Sequence, residues 1–128
     1  MNPKRIIVAD DESHIRNVVK IKLSNAGYEV VDVPDGDQAL AAFDDERPAL
    51  VITDYHMPGC DGIGLVRGLV EKYPDDLPPI VMLTAQGHEL PDDDARSAIS
   101  RMMSKPFSPR QLVALVEEVL AEAYAKAA

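Results

Sequence analysis

Five residues of this 128-residue chain have side chains suited to handling a phosphate or a metal: Asp10 and Asp11, Asp54, Thr84 and Lys105. Each follows an apolar run: IIVA before the acidic pair, LVIT before Asp54, IVML before Thr84 and AISRMMS before Lys105-Pro106. If the runs are neighbouring parallel strands, their carboxyl ends open onto one crevice, the place where ligands bind in open α/β sheets. Three carboxylates crowded there repel one another, so either one takes a proton or a cation joins them. Magnesium takes oxygen ligands, commonly one or two carboxylates with waters and a phosphate, which suits Asp11 and Asp54 as direct ligands and Asp10 through water. A carboxylate can also act as a nucleophile and become an aspartyl phosphate. The charge of an attached phosphate needs the metal, a hydroxyl donor and a cation, and Thr84 and Lys105 supply the last two.

The periodicity of the chain supplies elements to carry these groups. Ile6, Ile7 and Val8 predict a short buried strand, and the spacing of Ile15, Val18, Val19, Ile21 and Leu23 predicts a helix from Ser13, stopped by Asn25-Ala26-Gly27. Tyr28 to Val33 reads as a second strand, Pro34-Asp35-Gly36 as a turn, and Ala39, Leu40, Ala42 and Phe43 as a second helix closed by Arg47-Pro48. Ala49 to Thr53 gives a third buried strand and Asp54 to Asp61 a loop. A third helix follows through Ile63, Leu65, Val66, Leu69 and Val70, ended by Tyr73-Pro74. Pro79 to Leu83 is a fourth strand, Ile99 to Ser104 a weaker fifth, and an amphipathic helix starts near Ser108-Pro109. This alternation is that of a parallel sheet covered on both faces. The segment Gln86 to Ser97 breaks it: Gly87, Pro91 and three consecutive aspartates predict a loop with at most a short helix from about Pro91. Ala121 to Ala128 reads as a fraying extension of the last helix.

The length fits one domain, and 46% apolar with 27% charged residues is a globular balance. A formal net charge of -9 repels phosphate backbones and anionic lipid heads, so neither nucleic acid nor membrane is an expected partner. The first apolar run is too short to span a bilayer and no signal-peptide cleavage pattern precedes it, which gives a cytoplasmic expectation. The lone Cys60 cannot form an internal disulfide, in keeping with a reducing compartment.

Four stretches together carry a resemblance: Val8-Ala9-Asp10-Asp11, Asp54-Tyr55-His56-Met57-Pro58-Gly59-Cys60-Asp61-Gly62, Leu83-Thr84-Ala85 and Lys105-Pro106-Phe107. In their order and spacing the chain resembles the CheY-like receiver domain of two-component response regulators along essentially its whole length. The resemblance implies a flavodoxin-like, doubly wound sheet of five parallel strands in the order 2-1-3-4-5, with a short or irregular fourth helix here. It implies one receiver domain over residues 1–128, with a core at 5–124 and no output domain. Asp54 matches the phosphoacceptor, Asp10 and Asp11 the acidic pair that holds Mg2+ (or Mn2+), and the His56 backbone carbonyl the remaining protein ligand. Thr84 matches the switch hydroxyl, Lys105 the phosphate-binding lysine, joined to Pro106 by a cis bond, and Ala85 the small residue whose amide faces the phosphate. The implied activity is a stand-alone, non-enzymatic phosphoacceptor, charged by a histidine kinase or phosphotransfer protein and signalling by contact with a downstream protein. His56 and Gln86, each two residues beyond a site residue, are expected to alter the phosphate lifetime.

The chain departs from that pattern at the switch position, where Met102 stands in place of an aromatic, and at Ala98-Ile99, in place of Gly-Ala. Two other functions compete. One is a binding module that keeps the fold without phosphate-driven switching; the other is a phosphatase resembling the haloacid dehalogenase family, with its nucleophile in Asp10-Asp11-Glu12. Blander roles also stand beside the chemical ones. Asp10 or Asp11 can cap the next helix, Asp54 can serve a turn, Thr84 can bond backbone and Lys105 can be a solvated lysine. His56, Cys60 and His88 fit no compact zinc spacing and read as solvated loop residues. His14 is expected to be exposed, Met102 and Met103 to fill core, Asp92-Asp93-Asp94 to start a helix in solvent, and Tyr55 to be a loop aromatic partly covering the site.

Overall fold

The central strands are apolar along their whole length because they are covered on both sides. In the computed structural model, which describes residues 2–85 and 89–127, every residue of β3 (Pro48–Asp54) and β4 (Ile80–Thr84) is buried. The remaining strands are β1 (Asn2–Ala9), β2 (Glu29–Val33) and β5 (Arg101–Ser104), and the sheet runs β2-β1-β3-β4-β5 with all pairs parallel. Helices α1 (Ser13–Asn25), α2 (Gly36–Asp45), α3 (Gly62–Lys72), α4 (Asp94–Ala98) and α5 (Pro109–Ala127) fill the connections. This is the flavodoxin-like, doubly wound architecture and strand order expected.

Because alternate side chains of a strand point to opposite faces, the core divides into two layers. Ile7, Val51, Ile80 and Met82 pack with Phe43, Leu65 and Leu69 beneath α2 and α3. Ile6, Val8, Leu50, Ile52, Val81 and Leu83 pack with Val19, Leu23, Leu112 and Val116 beneath α1 and α5. The register sets Ala9 beside Thr53, Asp54 beside Leu83 and Thr84 beside Ser104, so the polar residues that end each run emerge along one edge.

Aspartates start three of the helices. Asp35 Oδ1 accepts from the Gln38 amide at 2.8 Å, Asp61 Oδ1 from Gly64 at 2.8 Å and Asp93 Oδ1 from Ala95 at 2.9 Å. The capping role considered for Asp10 or Asp11 is not realised. Glu12 occupies the N-cap of α1 without a side-chain capping bond, and Asp10 Oδ1 instead accepts the Glu12 amide at 2.9 Å.

Two features depart from the sequence pattern. Strand β1 begins at Asn2, several residues before the apolar run, and its Arg5 is buried. The Arg5 guanidinium donates to the Glu46 and Ala42 carbonyls at 2.9 and 3.2 Å, tying the strand to the C-terminal end of α2. The second departure lies in the irregular segment. Helix α4 is five residues long and begins at Asp94, after an exposed Asp92-Asp93, as the short-helix and solvated-start readings expected. Gln86 and His88, named above, lie outside the described residues. Met102 pairs with Met82 in the sheet, yet it is 48% exposed, because α4 is too short to cover it. Its expected place in the core is therefore corrected, whereas Met103, on the opposite face, does pack against the core.

Candidate functional site

Four strand ends deliver the site. Asp10 follows β1, Asp54 closes β3, Thr84 closes β4, and Lys105 follows β5, held there by its amide donating to the Thr84 carbonyl at 2.7 Å. Asp10, Asp54 and Thr84 are 0%, 5% and 4% exposed, so the crevice floor is shut off from bulk water. The Lys105 ammonium bridges it: Nζ lies 3.0 Å from Asp54 Oδ2, 3.3 Å from Asp10 Oδ2 and 3.3 Å from Glu12 Oε1. Carboxylate oxygens of Asp10, Asp11, Glu12 and Asp54 all come within 4.8 Å of one another.

The electrostatics follow from this crowding. Burial pushes the Asp10 carboxyl above its ordinary value and the nearby Asp54 charge adds to the rise, against the opposing pull of the Glu12 amide and of Lys105. For Lys105, burial disfavours the ammonium, but its hydrogen bond to Asp54 and the charges of Asp10 and Asp54 outweigh this and raise its pKa. Positive charge is thus held firmly, and one ammonium meets three of the four clustered carboxylates. The set is one that a hard divalent cation fits: clustered oxygen donors, two of them on buried side chains, with a negative excess that desolvation makes costly.

Neighbouring contacts fix the acids. Arg16 donates to the Asp10 carbonyl at 2.9 Å and to Asp32 Oδ2 at 3.1 Å, and Lys20 meets Asp32 Oδ1 at 3.1 Å. Asp32 loses hydration, but these two cations more than compensate and hold its carboxyl below the ordinary value. Behind Asp54 the loop returns tightly: the Tyr55 amide donates to Leu83 at 2.8 Å, and the Gly62 amide to Tyr55 at 3.0 Å. A Cβ on Gly62 would collide with the Asp54 carbonyl oxygen and stand 3.0 Å from Tyr55 Cα, so glycine is what allows α3 to start against the end of β3.

The structure therefore gathers Asp10, Asp11, Asp54 and Lys105, with Thr84 at the adjoining strand end and Ala85 just beyond it. His56 lies two residues after Asp54 and is exposed, as is His14. Met102 stands apart, on a surface with Leu90, Arg96 and Ile99. Tyr55 is half-buried and its hydroxyl donates to the Glu89 carbonyl at 3.1 Å, tying the loop after Asp54 to the segment before α4. The Cys60 thiol is pushed up by burial and by the charges of Asp37, Asp61 and Asp35, which keeps it protonated. Glu12 is the residue that sequence reasoning missed; its only signal was a third acid adjoining the pair. An apolar groove of about 460 Å³, lined in part by Glu12, Ile15, Val18, Lys105 and Phe107, opens beside the ammonium.

An open parallel sheet with an acidic, lysine-bridged crevice at its switch point defines the class: a flavodoxin-like, doubly wound α/β protein. The model of the response regulator receiver domain matches residues 6–117, and the chain belongs to that family. It is 41% identical over 128 residues to the ycf27 protein of Cyanophora paradoxa, covering 94% of this chain and 49% of that one. To the phosphate regulon transcriptional regulatory protein PhoB of Pseudomonas aeruginosa it is 39% identical over 121 residues, 91% of this chain and 52% of that one. The crystal structure of a CheY-like response regulator receiver domain protein from Methanospirillum hungatei superposes with a TM-score of 0.80 at 26% identity, covering 93% of each chain. The chain spans about half the length of the curated relatives it matches. No helix among the described residues is long and apolar enough to cross a membrane.

Proposed function

We propose that Asp54 accepts a phosphoryl group from the phosphohistidine of a sensor kinase or phosphotransfer protein, and that the phosphorylated module then signals by contact with another protein. A carboxylate oxygen of Asp54 forms the new P–O bond as the donor's P–N bond breaks, and the imidazole nitrogen leaves with the electron pair. Asp10, Asp11, Asp54 and the His56 carbonyl would hold a magnesium ion, or manganese in its place. The ion supplies charge against the phosphoryl oxygens. Lys105 offsets a further part of that charge, Thr84 donates its hydroxyl to a phosphoryl oxygen and the Ala85 amide another hydrogen bond. The observation that carries the reading is the Lys105 ammonium at 3.0 Å from Asp54 over a buried acidic floor. Signalling in the cytoplasm is part of the same proposal.

Incubation with acetyl phosphate and magnesium is expected to add the mass of one phosphoryl group, and Asp54→Asn or chelation to abolish it. A wild-type protein that stays unmodified with every donor would overturn the reading. A phosphatase acting through Asp10 is poorly served, since both its oxygens are engaged, one by the Glu12 amide and the other by Lys105.

The exposure of Met102 beside a five-residue α4 favours a second reading, a receiver fold that accepts phosphate without the usual switch. Beryllofluoride, a phosphate mimic, is expected under the first reading to shift amide resonances in residues 89–104 as well as in the crevice. Shifts confined to the crevice would establish the second.

A further inference from the structure

We propose that Glu12, to which the phosphoacceptor reading gives no task, is a positioning residue. It holds the solvent side of the Lys105 ammonium and competes for it with an incoming phosphoryl group. The proposal rests on phosphorylation of Asp54 as put forward above. Lys105 is shared among three carboxylates that differ in one respect: the side chains of Asp10 and Asp54 are 0% and 8% exposed, and that of Glu12 is 57% exposed. The first two hold the ammonium from the crevice floor and Glu12 holds it from the rim. A phosphoryl group reaching Asp54 has to come in over that rim, where it meets a carboxylate and an ammonium already engaged.

Two consequences follow. A small, doubly charged donor is disfavoured, since it must displace Glu12 unaided. A donor presented on a protein can instead satisfy Glu12 with a cation or hydrogen-bond donor of its own and so release Lys105. The apolar groove along α1 leads to this point, for Glu12 and Lys105 both line it. Among the described residues the Glu12 side chain makes no capping bond at the start of α1 and its backbone amide alone meets Asp10, so its other place is as a rim member of the acidic cluster, which saturating magnesium holds constant in the test. Glutamine keeps its length and removes its charge.

The test compares wild type and Glu12→Gln in phosphorylation by acetyl phosphate, a dianion, and by phosphoramidate, which carries less charge. Low ionic strength is used, with magnesium saturating for each protein, and the reaction is followed by intact mass. Removing one exposed charge near the phosphoryl path is expected to raise kcat/KM for acetyl phosphate about threefold to tenfold, through KM with kcat held within about twofold. The gain should be smaller for phosphoramidate and fade at about 0.5 M salt, where exposed charges are screened. An unchanged or lower kcat/KM, a change confined to kcat, or a gain indifferent to salt and donor charge overturns the role of Glu12. If wild type itself is never modified at Asp54, the phosphoacceptor reading fails and takes this proposal with it.

Discussion

Gly62→Ala is expected to lower stability by about 1–3 kcal/mol and to slow phosphorylation, although Asp54 and every other site residue are left in place. Gly62 is the first residue of α3 and is buried against the end of β3. An added methyl group would overlap the Asp54 carbonyl oxygen and press on Tyr55 Cα at 3.0 Å, and both are backbone atoms that no rotamer change can move aside. Strand β3 is clamped between β1 and β4, so the start of α3 and the loop from Tyr55 must yield, disturbing the Gly62 amide bond to the Tyr55 carbonyl. Helix propensity works the other way, alanine being about 1 kcal/mol better than glycine in a helix interior, and this is smaller than the clash. Gly68→Ala is the control. It lies in the same helix and its Cβ would meet only the Leu40 side chain at 3.3 Å, which can adjust. Urea unfolding should separate the two variants, with Gly68→Ala within about 1 kcal/mol of wild type. Equal midpoints would show that the acceptor loop does not depend on this close approach.

That contrast also marks what the sequence can and cannot convey. The five site residues were legible because each ends an apolar run, and parallel strands with both faces buried have few registers that keep such runs covered. Asp10, Asp54, Thr84 and Lys105 inherit their convergence from that constraint alone. Glu12 was not legible in the same way. Its share of Lys105 joins side chains 93 positions apart and depends on where a long lysine stem comes to rest. Arg5 is the same case in the fold, an arginine buried only because the end of α2 offers carbonyls to it. Met102 failed for another reason. A methionine in a strand reads as core unless the covering helix is known to stop short, and the length of α4 is set by loop residues without periodicity. The strand from Asn2 to Arg5 escaped notice because backbone pairing, not side-chain pattern, carries it.

The acidic floor gives the second large effect, one that reverses with pH and metal. Asp10 is an acid whose folded pKa lies above its unfolded value, chiefly through burial and secondarily through Asp54. The sign follows directly: the fold prefers the protonated form, so this group's contribution is fully favourable below the unfolded value of 3.8 and is lost as pH rises through the higher folded value. In Asp10→Asn the amide side chain stays neutral and has no such dependence. Without metal, the stability of wild type minus that of Asp10→Asn is therefore expected to fall as pH rises from the unfolded value of 3.8 through the higher folded value. The slope of that difference with pH, not its absolute size, reports the titration of Asp10, because the pH-independent part of the substitution only offsets the curve. Magnesium should act oppositely. At about one hundred times its Kd it adds about 2.7 kcal/mol to a protein that binds it only when folded, and the variant, with one carboxylate fewer, should gain less at neutral pH. In wild type the benefit should shrink as pH falls through the raised folded value of Asp10. Chemical unfolding across this range, with chelator and with magnesium, measures both slopes. A difference independent of pH would remove burial of Asp10 as a source of stored cost, and an equal magnesium gain would remove Asp10 from the metal's surroundings.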